Sequence, residues 1–259
     1  MAMWKPVYTL TARELQRFTR QRSRILGALG TPIVFWLLIG SGLGRSFTSD
    51  LVGPGGSFLE YFFPGTFTLV ILFTAIFSSI SLIEDRHEGF LQGVLVAPAP
   101  RRAIVLGKIL GSTILAAGQA LLFLALAPLA GVPLAWSQIP ALILATVLVA
   151  FALGGLGFAA AWKIDSVQGF HAIMNLVLIP MWILSGALFP EAGASRWMAL
   201  LLKLNPLTYG VAAVRHALYT PGSLEGGGLP GWPLSLAVTA LFGALCFGAS
   251  VLLLRSRVA

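Results

Sequence analysis

Apolar residues in this chain fall in long runs separated by short polar or Gly/Pro-rich breaks. Six runs approach the ~20 residues needed to cross a bilayer as a helix: 25–43, 62–83, 104–126, 139–162, 170–188 and 234–254. Pro32 stands early in the first and Pro180 interrupts the fifth. The fourth contains Gly154-Gly155-x-Gly157, which predicts close contact with neighbouring helices. Between the fifth and sixth runs, the region 189–233 holds two shorter helix-like runs, 197–204 and 208–219, on either side of Asn205-Pro206. Each is too short to cross. Paired half-length helices predict a re-entrant hairpin, which a membrane tolerates where protein or water covers it; an extracellular loop lying on the membrane is the plainer alternative.

Ahead of the first run, residues 1–24 are too polar to span. Arg13, Arg17, Arg20 and Arg24 line one face of a helix, Leu15 and Phe18 fall on another, and Thr11-x-x-Glu14 fits a capping box at its start. A basic amphipathic helix before a span is expected to lie along the cytoplasmic interface. The pattern as a whole predicts an all-α integral membrane protein: one transmembrane domain over 1–259, with six transmembrane helices, an N-terminal interfacial helix and a re-entrant hairpin between spans five and six.

Composition agrees. Apolar residues make up 57% of the 259 and charged residues 10%, against roughly a quarter charged in a globular domain. The net charge of +8 reads, in so apolar a chain, as loop charge facing anionic headgroups rather than nucleic-acid binding. Cys246 is the single cysteine, so no intrachain disulfide or thiolate cluster is available. Nothing at the N-terminus has the form of a cleavable leader. With six spans and both termini inside, thirteen of the 17 lysines and arginines lie on the cytoplasmic side, and only Arg45, Arg196, Lys203 and Arg215 on the other. That bias sets the orientation.

The chemistry is sparse. No span has a charge near its middle, as a proton- or ion-coupled carrier usually requires, although Pro180 leaves room for a broken helix. No phosphate-binding G-x-x-x-x-G-K-[ST] and no G-x-S-x-G occurs. His87, His171 and His216 are far apart in sequence, so no metal site is expected. The one polar concentration is 84–108, where Glu84, Asp85 and Glu88 meet Arg86, Arg101, Arg102 and Lys108. Within it, 88–96 places Phe90, Leu91, Val94 and Leu95 on one side of a short helix that ends at Ala97-Pro98. Solvated acids, a capped helix, a docking element and the acid–base groups of a lipid-modifying enzyme are all open on this pattern.

Asp85-Arg86-x-Glu88-Gly89-Phe90-Leu91, then Leu95-Val96-Ala97-Pro98, Arg101 and Ile104-Val105-Leu106-Gly107-Lys108, resembles the loop after the second span in permeases of type-2 ATP-binding-cassette exporters. Pro180 to Pro190 (PMWILSGALFP), followed by Leu204-Asn205-Pro206-Leu207-Thr208-Tyr209 and Arg215, is similar to that family's fifth span and extracellular re-entrant helices. The basic helix leading into a proline-containing first span is a third likeness. Gly89-Phe90 stands where many members have Gly-Thr, and Gln92 where Glu is common, which is closer to daunorubicin-exporter-like and nodulation-factor-exporter-like permeases.

The resemblance implies a half-transporter in the cytoplasmic (inner) membrane, with both termini cytoplasmic. Two copies would pair and dock on two copies of a nucleotide-binding ATPase subunit. ATP and Mg would belong to that subunit, with no cofactor in this chain. Glu84, Asp85, Glu88, Gly89, Phe90, Leu91, Leu95 and Pro98 would form the ATPase-coupling element in the loop 84–103. Asp85 and Glu88 would make polar contacts near the cytoplasmic ends of the first helices, with Phe90, Leu91 and Leu95 as the apolar docking face. Pro190, Asn205, Pro206, Tyr209 and Arg215 would belong to an extracellular gate. The phenylalanine-rich second run suggests an amphipathic cargo (a drug, a lipid or a lipid-linked glycan) passing Trp36, Phe63, Phe67, Phe73 and Met181, although packing accounts for the phenylalanines equally well. Membrane lipids are the remaining expected partner, and an ion-coupled carrier the remaining alternative class.

Overall fold

The computed structural model describes residues 3–42, 57–132, 134–190, 194–219 and 228–256. The described residues form helices joined by short non-helical links, with no strand among them. The helices are α1 (Trp4–Arg20), α2 (Arg22–Gly42), α3 (Phe58–Ser78), α4 (Ile80–His87), α5 (Phe90–Val96), α6 (Arg101–Leu124), α7 (Ile139–Lys163), α8 (Val167–Trp182), α9 (Arg196–Leu204), α10 (Pro206–Leu218) and α11 (Trp232–Ser256). Among the described residues five helices are long and apolar enough to cross a membrane: 58–87 (α3 continued by α4), α6, α7, α8 with its last turn, and α11. The apolar part of α2, Gly27–Gly42, is shorter. Leu43, most of the loop 45–60 and part of 189–233 lie outside the described residues.

Local chemistry sets the boundaries. Ser57 caps α3 by accepting from the Glu60 amide at 3.2 Å, and Ser166 caps α8 by accepting from Gly169 at 3.0 Å. Asn205 caps α10 through the Leu207 amide (3.0 Å), with Pro206 in the first turn where no amide donor is needed. α9 and α10 meet at this Asn-Pro step with a bend of 81°. Beyond Trp182, α8 widens into a π-helical turn, Ile183–Ala187, in which Gly186 has φ +77°. Only glycine adopts that conformation without strain.

α3 is the centre of the bundle and is buried on nearly every face, whereas α11 faces outward over most of its length. The α7 glycines meet expectation and serve three different neighbours. A Cβ on Gly154 would strike Ser112 of α6, one on Gly155 would come within 2.9 Å of Cys246 of α11, and one on Gly157 within 3.0 Å of Ile76 of α3. A second such pair, Gly107-x-x-x-Gly111 on α6, seats α1. Cβ atoms there would lie 2.9 Å from that of Leu10 and 2.7 Å from that of Glu14.

The N-terminal helix departs from expectation. It starts at Trp4 and stops at Arg20, so Thr11 and Glu14 lie in its interior and form no capping box. Thr11 Oγ1 instead donates to the Gly107 carbonyl at 3.0 Å, and Glu14 is buried with Val7, Leu10 and Phe18. Arg24 belongs to α2, beyond a break at Gln21.

Candidate functional site

The polar segment after α3 is built into the bundle through α1. Asp85, on α4, is fully buried. Arg13 binds it with two nitrogens (2.9 and 2.6 Å), Arg17 reaches it at 2.7 Å, and the Lys108 ammonium lies against its other oxygen. Lys108 also binds Glu14 at 2.5 Å, and Glu14 accepts from Ser81 at 2.6 Å. Arg17 extends the network outward to Glu84 (3.0 Å) and Glu88 (3.1 Å). Burial alone would lower the Arg17 pKa, but Asp85, Glu84 and Glu88 together raise it, so the guanidinium stays charged. Charges this far from water persist only when paired and hydrogen-bonded. Asp85 accordingly has three cations around it.

The other charges of the segment grip two further helices. Arg86 donates to the Ala161 and Trp162 carbonyls at 3.0 Å each and to Asp165 at 2.7 Å. This caps the C-terminal end of α7, where a cation also complements the helix dipole. Arg101 does the same for α11, donating to the Arg255 carbonyl at 3.0 Å. α4 and the start of α6, on either side of α5, are therefore tied by charge to α1, α7 and α11.

α5 follows a turn at Gly89, whose φ of +76° suits glycine alone. Its apolar side faces inward. Leu91 is buried, Val94 and Leu95 pack against the core, and Phe90 lies under the Arg13 guanidinium, 3.7 Å from its ring centroid. The expectation that Leu91 and Leu95 face outward is thus corrected: they are needed to seat a seven-residue helix that cannot hold itself. Asp85 makes its polar contacts inside the chain, with Arg13 and Arg17 of α1. The surface actually offered consists of Gln92, Gly93, Val96 (84% exposed), Ala97 and Pro98, flanked by Glu88 and the edge of Phe90.

A second polar cluster closes the opposite end. Arg215 of α10 is 1% exposed, lies over the Tyr61 ring (4.4 Å) and donates to the Tyr61 and Gly186 carbonyls at 3.3 and 3.4 Å. Tyr61 itself donates to Gly186 at 3.2 Å. The π-helical turn of α8 leaves carbonyls without helical partners, and Asn205 takes two of them, Met181 at 2.6 Å and Leu184 at 2.8 Å. Tyr209 donates to the Lys203 carbonyl at 3.0 Å, within the hairpin, and Pro190 is half-buried beside the turn's end. Asn205 and Arg215, at the two ends of α10, therefore each hold the widened turn of α8, Asn205 through Met181 and Leu184 and Arg215 through Gly186 and Tyr61.

The residues expected along a substrate path separate. Trp36 and Phe63 pack with Phe123 in a closed aromatic cluster (centroids 5.0–5.9 Å), Phe67 is buried, and the half-buried Met181 borders only a small void beside α7 and α10. Of these, Phe73 alone lines a cavity of about 510 Å³ between α2, α3 and α8, with Phe18 of α1 at one end.

Arg13, Arg17, Glu14 and Lys108 carry the charged site but do not stand out as a group in the sequence. One available signal is the spacing Leu10, Glu14, Phe18, which puts a carboxylate on an apolar helix face.

Residues 6–219 match the family model described as ABC-2 type transporter. The chain is similar to the Inner membrane transport permease YhhJ of Escherichia coli, at 26% identity over 190 residues, which is 73% of this chain and 49% of that protein. It therefore spans about half the length of that relative. Nodulation protein J of Neorhizobium galegae is 27% identical over 243 residues, covering 90% of this chain and 86% of that one. A putative transport permease, ycf38, of Pyropia yezoensis is 24% identical over 251 residues, covering 96% and 83%.

Proposed function

Because this chain belongs to the ABC-2 type transporter family and is a multi-pass transport permease, we propose that it is the membrane half of an exporter driven by ATP hydrolysed on a separate subunit. In this reading two copies pair in the cytoplasmic membrane, termini inside, and α5 seats in a cleft on each of two ATPase subunits. ATP and Mg stay on those subunits, and an amphipathic molecule leaves the cell through the paired permease. Transport runs outward, and Asn205, Pro206 and Arg215 belong to the gate on the outer side.

The observation that supports it best is the mechanical state of α5. A surface helix of seven residues is suspended between two anchored neighbours: α4 before it is held to α1 by the buried ion pairs of Asp85 and to the end of α7 by Arg86, and α6 after it is held to the end of α11 by Arg101. A push on its exposed face is delivered to three helices at once, because none of these contacts stretches without exposing an unpaired charge or carbonyl. An acid–base role for Asp85 gains no support from this geometry, since it has no exposed oxygen to offer a substrate.

The test is co-purification. Tagged chain drawn from its own membranes is expected to bring an ATP-binding-cassette subunit with it, and the reconstituted pair to hydrolyse ATP. Val96→Asp is expected to reduce the bound subunit tenfold or more while leaving the melting temperature unchanged. If the chain moves cargo with ATP depleted, or the ATPase stays bound and coupled when both Gln92 and Val96 carry charge, the proposal fails.

A further inference from the structure

Three successive carbonyls in the first turn of α3 each take a side-chain donor from another helix. The Trp36 indole of α2 reaches the Leu59 carbonyl at 3.1 Å, the Tyr219 hydroxyl at the end of α10 reaches that of Glu60 at 2.9 Å, and Arg215 reaches that of Tyr61 at 3.3 Å. The middle one differs from its neighbours. A carbonyl in an α-helix is bonded by the amide four residues further on. Phe63 and Gly65 have amides to offer Leu59 and Tyr61, but the residue four after Glu60 is Pro64, which has none. Tyr219 is buried, so its hydroxyl meets this carbonyl inside the protein. From Gly65 on, α3 is clamped to α8. A Cβ on Gly65 would lie 2.7 Å from that of Ala187, and the Trp182 indole donates to the Gly65 carbonyl at 2.8 Å. The turn before the proline is thus held from α2 and α10, and proline is where helices bend.

We propose that the Tyr219 hydroxyl and the Glu60 carbonyl form a latch, created by Pro64, that holds the α9–α10 hairpin shut on the first turn of α3. The donor sits at the far end of α10 from Asn205, which pins the other end to α8. Swinging α10 away about that pin leaves a carbonyl that the helix cannot satisfy by itself, which is disfavoured in a closed protein. Water entering at that end is the replacement donor, so the hairpin opens as the end becomes wet and recloses as it dries. Arg215 cannot set this condition, because the Tyr61 carbonyl keeps a helical donor when the guanidinium leaves. The proposal rests on the exporter reading, in which this hairpin is the gate, and assigns what keeps the gate closed at rest.

The test is thiol labelling of the full chain in nanodiscs, where a charged methanethiosulfonate reagent reaches both ends and no ATPase is present. Cys246→Ser removes the single cysteine. Ser185→Cys, buried in the widened turn of α8, or Ser112→Cys, buried on α6, then supplies a reporter. Tyr219→Phe is expected to speed labelling at the first reporter by about tenfold or more and to leave the second unchanged. Tyr209→Phe, which removes a hydroxyl bonded within the hairpin, should change neither. Pro64→Ala returns an amide to the Glu60 carbonyl, so in that background Tyr219→Phe is expected to alter labelling by less than about twofold. An unchanged rate in Tyr219→Phe, or equal acceleration at both reporters, overturns the latch. So does full acceleration with Pro64→Ala present, since the tyrosine would then act by packing. If Pro64→Ala does not fold, the two tyrosine variants decide: equal rates at Ser185→Cys sink the proposal, and acceleration by Tyr219→Phe alone upholds it. Labelling needs no nucleotide, so its failure leaves the exporter reading standing, and loss of ATPase capture leaves the latch untouched.

Discussion

Arg13 holds Asp85 with both ends of its guanidinium, at 2.9 and 2.6 Å, across 72 residues of chain. The planar fork matches a carboxylate as lysine cannot, and its face covers Phe90, so one side chain fixes both the buried acid and the first residue of α5. The behaviour of the permease under substitution follows from which contacts are internal and which are surface.

Asp85→Asn leaves Arg13, Arg17 and Lys108 around a neutral amide. Losing one partner of a buried ion pair costs about 3–5 kcal/mol. A large fall in melting temperature in detergent is expected, together with loss of α1 docking seen as faster proteolysis near Gln21. An unchanged melting curve would show that Asp85 is not the anchor.

The seat of α1 is tested on α6. Alanine is favoured over glycine in a helix by about 1 kcal/mol, so Gly118→Ala, where the added carbon meets nothing within 4 Å, should stabilise slightly. Gly111→Ala should do the reverse, by about 1–3 kcal/mol net, because its Cβ would meet that of Glu14 at 2.7 Å. The measurement is the difference in melting temperature between the two variants.

Two substitutions on α5 separate seat from surface. Leu91→Ala empties a buried position and is expected to cost about 2–5 kcal/mol of stability, lowering the yield of folded chain. Val96→Asp should leave folding alone and, on the proposed docking of α5, lower capture of an ATPase subunit tenfold or more. Equal effects of the two on stability would contradict the orientation of the helix.

Arg215→Met addresses the far end. The guanidinium is buried with no carboxylate beside it among the described residues, and its Nε and Nη1 have no partner there. An apolar chain of similar length is expected to be neutral or stabilising. The melting temperature should hold or rise while transport by the reconstituted pair drops at least tenfold, which would set the charge's role apart from stability. Retained transport would strip Arg215 of a place in the gate.

The helices and their order were legible because run length and the Asn205-Pro206 break are local signals, and the α7 glycines announced their contacts. The direction in which α5 faces was not. Phe90, Leu91, Val94 and Leu95 have the same spacing whether their side is turned to a partner or to the chain itself, and only the position of α1 decides it. Glu14 shows why the charged site was half seen. As part of Thr11-x-x-Glu14 it satisfied a local rule for a helix start, but its partner Lys108 lies 94 residues away, and nothing local to either residue reports that pairing. Tyr61 and Gly186 were missed at the other end for a similar reason, since they act through a backbone carbonyl that α8 frees only once its last turn has widened.

Arg13, Arg17, Arg86, Arg101 and Lys108 all have partners inside the folded chain. None of those partners is in place while the helices are being threaded into the bilayer, when the same five side chains are free cations that resist crossing. On the proposed orientation they would serve twice, first as an address for insertion, then as the bolts that lock the inserted bundle. Replacing Glu14 and Lys108 together with apolar residues could preserve the finished bundle and still erase part of the address, so errors of insertion in that variant would arise in molecules whose native fold remained sound.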